Sequence, residues 1–283
     1  MRGLAVSLPF ALAACQTAVI DSRGAVGIAD KTILIDSLVI MLAIVIPTIV
    51  ATLGFAWWFR SSNRRAARLP DWAYSGRIEL IVWSIPLLVI ILLGGVAWIG
   101  SHDLDPAEPL ASDKQPLDVQ IVSLDWKWLF IYPRQDVASV NQLVIPDGTP
   151  IRFSLTSASV MNAFFVPQLA SMIYTMNGMT TKLNLMADEP GVFAGLSSHF
   201  SGDGFSSMHF DVRAIPEDQF SAWIEAARRS GPALDTAGYE ALEKQGTNVA
   251  PSTFRLVDSK LFERIATQEL PAAPGAQQPG MPK

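Results

Sequence analysis

Between Gly195 and Phe210 the chain reads Gly-Leu-Ser-Ser-His-Phe-Ser-Gly-Asp-Gly-Phe-Ser-Ser-Met-His-Phe, a glycine-rich loop in which imidazole and thioether groups stand among hydroxyls. His199, Met208 and His209 are donors of the kind that hold a soft or borderline cation. Met208 and His209, however, are neighbours in an alternating run, so they face opposite ways and do not close on one ion. The sequence holds one cysteine, Cys15, and three histidines, His102, His199 and His209. No thiolate is at hand for this loop, and no metal is expected in it.

A second chemically active group is Glu79, the one acidic residue within the apolar run Ile78 to Ile99. A carboxyl group about one turn inside a membrane segment is costly unless it meets water or a partner, which makes it a functional candidate. Reaching the interface, or pairing with Arg77, would satisfy it equally well.

The elements that must position these groups divide the chain in two. Hydrophobic residues make up 50% and charged ones 17%, and the net charge is −5, a balance that suits membrane segments followed by a globular part and gives no footing for nucleic acid. Residues 1–14 read as a signal peptide, Arg2 followed by the apolar core Leu4 to Leu12. The motif Leu12-Ala13-Ala14-Cys15 resembles a bacterial lipobox, so Cys15 is expected to be diacylated and to head a periplasmic segment, residues 15–32. A membrane hairpin is expected over 33–100. Its first span, Ile33 to Phe59, contains Asp36 and Pro47 and ends in the interfacial pair Trp57-Trp58; the basic turn Arg60, Arg64, Arg65 and Arg68 marks the cytoplasmic side. Both spans together leave everything after His102 on the exported side.

A Pro- and Asp-rich linker covers 101–116. Over 117–215 short alternating segments separated by turns such as Pro146-Asp147-Gly148 predict a β-sandwich or barrel with a single core. Within it, Asp125-Trp126-Lys127-Trp128-Leu129-Phe130-Ile131-Tyr132 is an aromatic cluster whose tryptophans serve packing or contact with a partner. Residues 216–270 change period: Pro216-Glu217-Asp218 opens a helix with Phe220, Trp223, Ile224 and Ala227 on one face, and two shorter helices are expected at 236–244 and 259–268. The tail, 271–283, has the composition of a disordered segment.

The loop resembles that of subunit II of the haem-copper terminal oxidases. Copper-binding members carry C-x-E-x-C-G-x-x-H-x-x-M there, where this chain has Ser197-x-His199-x-Ser201-Gly202-x-x-Phe205-x-x-Met208. Their remaining histidine lies upstream, where this chain has Asn162. Of the ligand positions only Met208 matches. The segment Glu79-x-x-x-Trp83-x-x-Pro86 resembles the family's second span, whose glutamate sits at the mouth of a proton path into subunit I. The helices after the barrel resemble the arm of the quinol oxidase branch.

The resemblance implies a fold of two transmembrane helices, a cupredoxin-like β-barrel and a C-terminal helical arm. It implies subunit II of a cytochrome bo-type ubiquinol oxidase in the bacterial inner membrane, with its C-terminal domain in the periplasm. No cofactor is expected in this chain. Haems and copper would belong to subunit I, ubiquinol would be the substrate of the complex, and subunits I, III and IV and membrane lipid would be the partners, with no role for cytochrome c. A copper-bearing subunit taking electrons from cytochrome c, and a free-standing envelope lipoprotein on a cupredoxin-like scaffold, are the competing assignments.

Overall fold

A computed structural model describes residues 19–67, 71–271 and 273. The leader, Cys15 and Arg68 lie outside the described residues. Among the described residues two compact units are present: those from Asp30 to Leu104 form one, and residues 19–29 together with residues 105–271 and 273 form the other.

The first unit is built on α1 (Ala25–Trp58) and α2 (Gly76–Asp103). Both are apolar on every side, with best-window mean hydropathies of 2.7 and 2.6, and both are long enough to cross a bilayer. Pro47 and Pro86 sit inside them. Each proline removes one helical N–H donor. Beside the first, the Thr48 hydroxyl donates to the Ile44 carbonyl and that of Thr52 to the Thr48 carbonyl, so short polar side chains turn inward on the helix rather than toward lipid. Helix α1 starts eight residues before the expected apolar run, because Ala25 to Thr32 continues the helix with Asp30 and Lys31 on it.

In the second unit β1 (Leu117–Leu124), β2 (Lys127–Tyr132), β3 (Val137–Val140), β5 (Ile151–Ser157) and β8 (Thr181–Leu185) form one sheet. Its edge is extended beyond β3 by β12 (Ser252–Leu256) and β11 (Ala233–Leu234). The facing sheet runs β4 (Gln142–Pro146), β10 (His209–Ile215), β9 (Gly191–Ser197), β6 (Asn162–Phe165), β7 (Ile173–Thr175). The arm adds α3 (Glu217–Ser230), α4 (Thr236–Glu243) and α5 (Leu261–Ala266).

The expected single core is two. Alternation along β1 and β2 sends Val119, Ile121, Trp128, Phe130 and Tyr132 inward between the sheets, where they meet Phe153, Phe164 and Phe210. The other face, carrying Val122, Leu124, Leu129 and Ile131, is covered by Leu234, Tyr239, Leu261, Phe262 and Ile265 of the arm. All six residues of β2 are therefore buried, as in a sheet packed on both sides. The arm is more than helical, since β11 and β12 hydrogen-bond into the barrel sheet. The tail is also tied down at its start: Ala273 is buried and its N–H donates to the Ala158 carbonyl.

Tyr132 links the two sheets. Its hydroxyl donates to the Val144 carbonyl at 2.8 Å and accepts from the Val144 N–H at 2.9 Å, and burial holds the phenol well above its ordinary pKa. Tyr132→Phe leaves both Val144 groups without that partner. The expected loss of stability is about 1–3 kcal/mol, read as a lowered denaturation midpoint.

Candidate functional site

The loop from Ser198 to Met208 joins β9 to β10, and three backbone bonds fix its base. Ser197 N donates to Met208 O at 3.1 Å, Ser198 N to Ala163 O at 3.0 Å, and Met208 N to Phe205 O at 3.1 Å. Gly202 has φ 112°, a backbone conformation that favours glycine. Gly204 lies under the Trp126 indole so closely that a Cβ would fall 2.3 Å from the ring. The Trp126 Nε1–H donates to Ser201 O at 3.1 Å. One aromatic side chain thus holds the crest of the loop at two adjoining points.

Of the six positions singled out from the sequence, Asn162 and Ser197 are brought together. They are buried, and the Ser197 hydroxyl donates to Asn162 Oδ1 at 3.1 Å across β6 and β9. Met208 lies in the main core at 1% exposure, while His209 faces out and donates from Nε2 to Ser206 O at 2.7 Å. Those two neighbours do point opposite ways. His199 turns toward Tyr174, ring centroids 5.7 Å apart and edge-on, and Phe205 packs against Phe200. Ser201 is buried, and its hydroxyl has no hydrogen-bond partner among the described residues.

The arrangement offers hydroxyl and amide oxygens, one buried thioether and one half-buried imidazole. Among the described residues, no three His, Cys, Asp or Glu side chains gather where a metal ion would sit.

Trp126 and Trp128 serve packing. Both are buried, and Trp128 meets Phe164 and Phe210 edge-on at 5.5 and 5.6 Å while those two rings stack on each other. Polar residues beside them have a role the sequence reading passed over. Asp125 is buried and accepts hydrogen bonds from the Ser159 hydroxyl and from Gln245 Nε2, and its carbonyl accepts from Gly246 N. Lys127 Nζ donates to Lys244 O at 2.6 Å. Asn141 accepts from Trp128 N and donates to Val249 O. Desolvation pushes the Lys127 ammonium below the usual lysine pKa, and the neighbouring Asp125 opposes that shift. These side chains fasten the arm segment 244–249 to the barrel. Their signal in the sequence was a pair of charges alternating with tryptophans in a strand too apolar to be exposed.

Glu79 lies in the first turn of α2, its N–H bonded to the Ser75 carbonyl, seven residues before Pro86. Its side chain is exposed, and no ion pair joins it to Arg77 or to any other described residue. A carboxylate there faces the positive end of the helix dipole.

Residues 119–215 match the family described as cytochrome c oxidase subunit II, periplasmic domain, and residues 228–268 match the aromatic-rich motif of the same oxidases. Cytochrome bo(3) ubiquinol oxidase subunit 2 of Pseudomonas aeruginosa is 44% identical over 268 residues, 95% of this chain and 81% of that one. Ubiquinol oxidase subunit 2 of Acetobacter aceti is 46% identical over 259 residues, 91% of this chain and 84% of that one. Among solved structures, the periplasmic domain of cytochrome oxidase subunit II from Bradyrhizobium japonicum is 24% identical, covering 43% of this chain and 98% of its own, with a TM-score of 0.40. Two apolar helices followed by a periplasmic-type domain fit an inner-membrane protein whose C-terminal part is periplasmic. The chain belongs to the subunit II family of the cytochrome bo-type ubiquinol oxidases.

Proposed function

We propose that this chain is a copper-free, non-catalytic subunit II of a proton-pumping ubiquinol oxidase. The observation that carries this reading is the donor set of the β9–β10 loop. A dinuclear copper centre needs thiolates to bridge it and imidazoles to complete it. The chain places hydroxyls at 197 and 201, a carboxamide at 162 and a phenyl ring at 205. These side chains do not fit such a centre, and no electron step is routed through this subunit.

Its roles are then mechanical and protonic. The hairpin clamps subunit I, the barrel and its arm cap the outer face, and Glu79 serves proton uptake from the cytoplasmic side. Haems and copper belong to subunit I, and subunits III and IV complete the complex. Diacylation of Cys15 after removal of the leader gives the barrel a second hold on the membrane, which suits an exported chain without a second cysteine for a disulfide.

Gentle detergent extraction is expected to yield the chain with a large polytopic haem protein, in an assembly that oxidises ubiquinol and ignores reduced cytochrome c. Recovery of the chain alone would support a free-standing lipoprotein instead. Oxidation of cytochrome c with quinol inactive would overturn the assignment.

A further inference from the structure

The end of α1 carries two hollows that share Phe59 as a lining residue. An apolar slot of about 500 Å³ is lined by Ala51, Gly54, Phe55, Trp58 and Phe59. A partly polar basin of about 730 Å³ is lined by Phe59, Arg60, Ser61, Asn63, Ala66, Ala67 and Trp72. Phe59 borders both, so apolar wall passes directly into polar wall. The surface at Gly54 is open, since a Cβ there would meet nothing within 4 Å.

Arg60 is held in place at the edge of the basin. Its Nε donates to the Ser62 hydroxyl at 3.0 Å, its Nη1 to the Trp57 carbonyl at 3.0 Å, and its guanidinium lies 4.7 Å from the Trp57 ring centre. Nη2 has no partner among the described residues. Asn63 Nδ2 donates to the Trp58 carbonyl at 2.6 Å, so the basin takes shape from the capped end of the helix. Residues 60–67 carry Arg60, Arg64 and Arg65 and no acidic side chain. A preorganised guanidinium beside a basic turn, at the level of interfacial tryptophans and above an apolar slot, matches a phosphate headgroup with its acyl chain below.

We propose that this corner seats one anionic phospholipid of the cytoplasmic leaflet, its phosphate on Arg60 and an acyl chain in the Gly54 slot. The inference rests on reading α1 and α2 as spans. Failure of that reading would show separately, as release of the wild-type chain from membranes by alkaline carbonate.

The test uses the intact complex, delipidated in mild detergent and titrated with phosphatidylglycerol, with binding counted by native mass spectrometry. Wild type is expected to take up one tight phosphatidylglycerol that R60Q binds about tenfold more weakly, as loss of a charge-assisted contact implies. G54L, which fills the slot, is expected to weaken it as well. Phosphatidylcholine should show no such difference between wild type and R60Q. Equal phosphatidylglycerol binding by wild type and R60Q overturns the proposal, as does displacement of the lipid by an equal concentration of inorganic phosphate. Loss of subunit I from G54L, with R60Q keeping its lipid, overturns it too, because the slot is then a protein contact.

Discussion

Asn162→His, Ser197→Cys, His199→Glu, Ser201→Cys and Phe205→His, made together, are expected to give the full-length chain two copper ions where the wild type takes none. The frame for them is already in place: Gly202 supplies the turn, Met208 is retained, and the Ser197 N–H to Met208 carbonyl bond closes the loop. Positions 162 and 197 are close enough for their side chains to hydrogen-bond at 3.1 Å, so an imidazole and a thiolate there can reach one ion. Serine to cysteine changes little in volume but exchanges a hard hydroxyl for a soft bridging thiolate. The imidazole at buried position 162 must displace neighbours, at a cost of about 1–3 kcal/mol, and metal binding to the deprotonated ligands offsets it. Elemental analysis after desalting gives the count, and intense visible absorption marks thiolate-bound copper. Two coppers in the wild type would remove the basis of the copper-free reading. A folded variant that stays metal-free would show that the loop itself, and not only its side chains, departs from a copper site.

Much of this was readable in the chain because the relevant signals are local. The turn residues and alternation that bound β1, β5 and β9 lie within a few residues of one another, and so do the apolar positions of α3. What escaped depends on partners far away in sequence. The five residues of β12 reach the barrel sheet only by pairing with β3 across more than a hundred residues, and the four of β3 are held between that distant partner and neighbouring β2. The second core is invisible for the same reason, since Val122 and Leu129 look like ordinary strand residues until the arm covers them. Periodicity finds the helices of the arm but not the strand that carries it back to the sheet. At the other end, Arg23 N donates to Gln168 O and Asp188 N to Arg23 O, so the segment before α1 is laid along the barrel. A Cβ on Gly24 would approach the Met186 carbonyl to 2.3 Å, a close backbone approach that composition alone does not reveal. The loop between two late strands was legible in the sequence; the way Trp126 holds it in shape was not.

Glu79→Ala in the assembled complex is expected to slow oxygen consumption and proton uptake about tenfold while haem content and subunit stoichiometry stay normal. Its backbone N–H already satisfies the helix start through the Ser75 carbonyl, so the side chain is not needed to begin α2. Removing it deletes no described ion pair, which is why assembly should survive. Either the carboxyl group takes up protons for the neighbouring subunit, as proposed, or it serves only by its shape and hydrogen bonding at the start of α2. Glu79→Gln separates the two possibilities, because it keeps the shape and hydrogen-bonding capacity and loses only the exchangeable proton. A positional role predicts that Gln restores turnover. The proton role predicts that Gln fails like Ala, whereas Glu79→Asp, shorter by one methylene, recovers part of the rate. Turnover with quinol on an oxygen electrode and proton uptake in reconstituted vesicles read all three variants. Normal rates in Glu79→Gln would end the case for this carboxylate in proton transfer, whatever the alanine variant does.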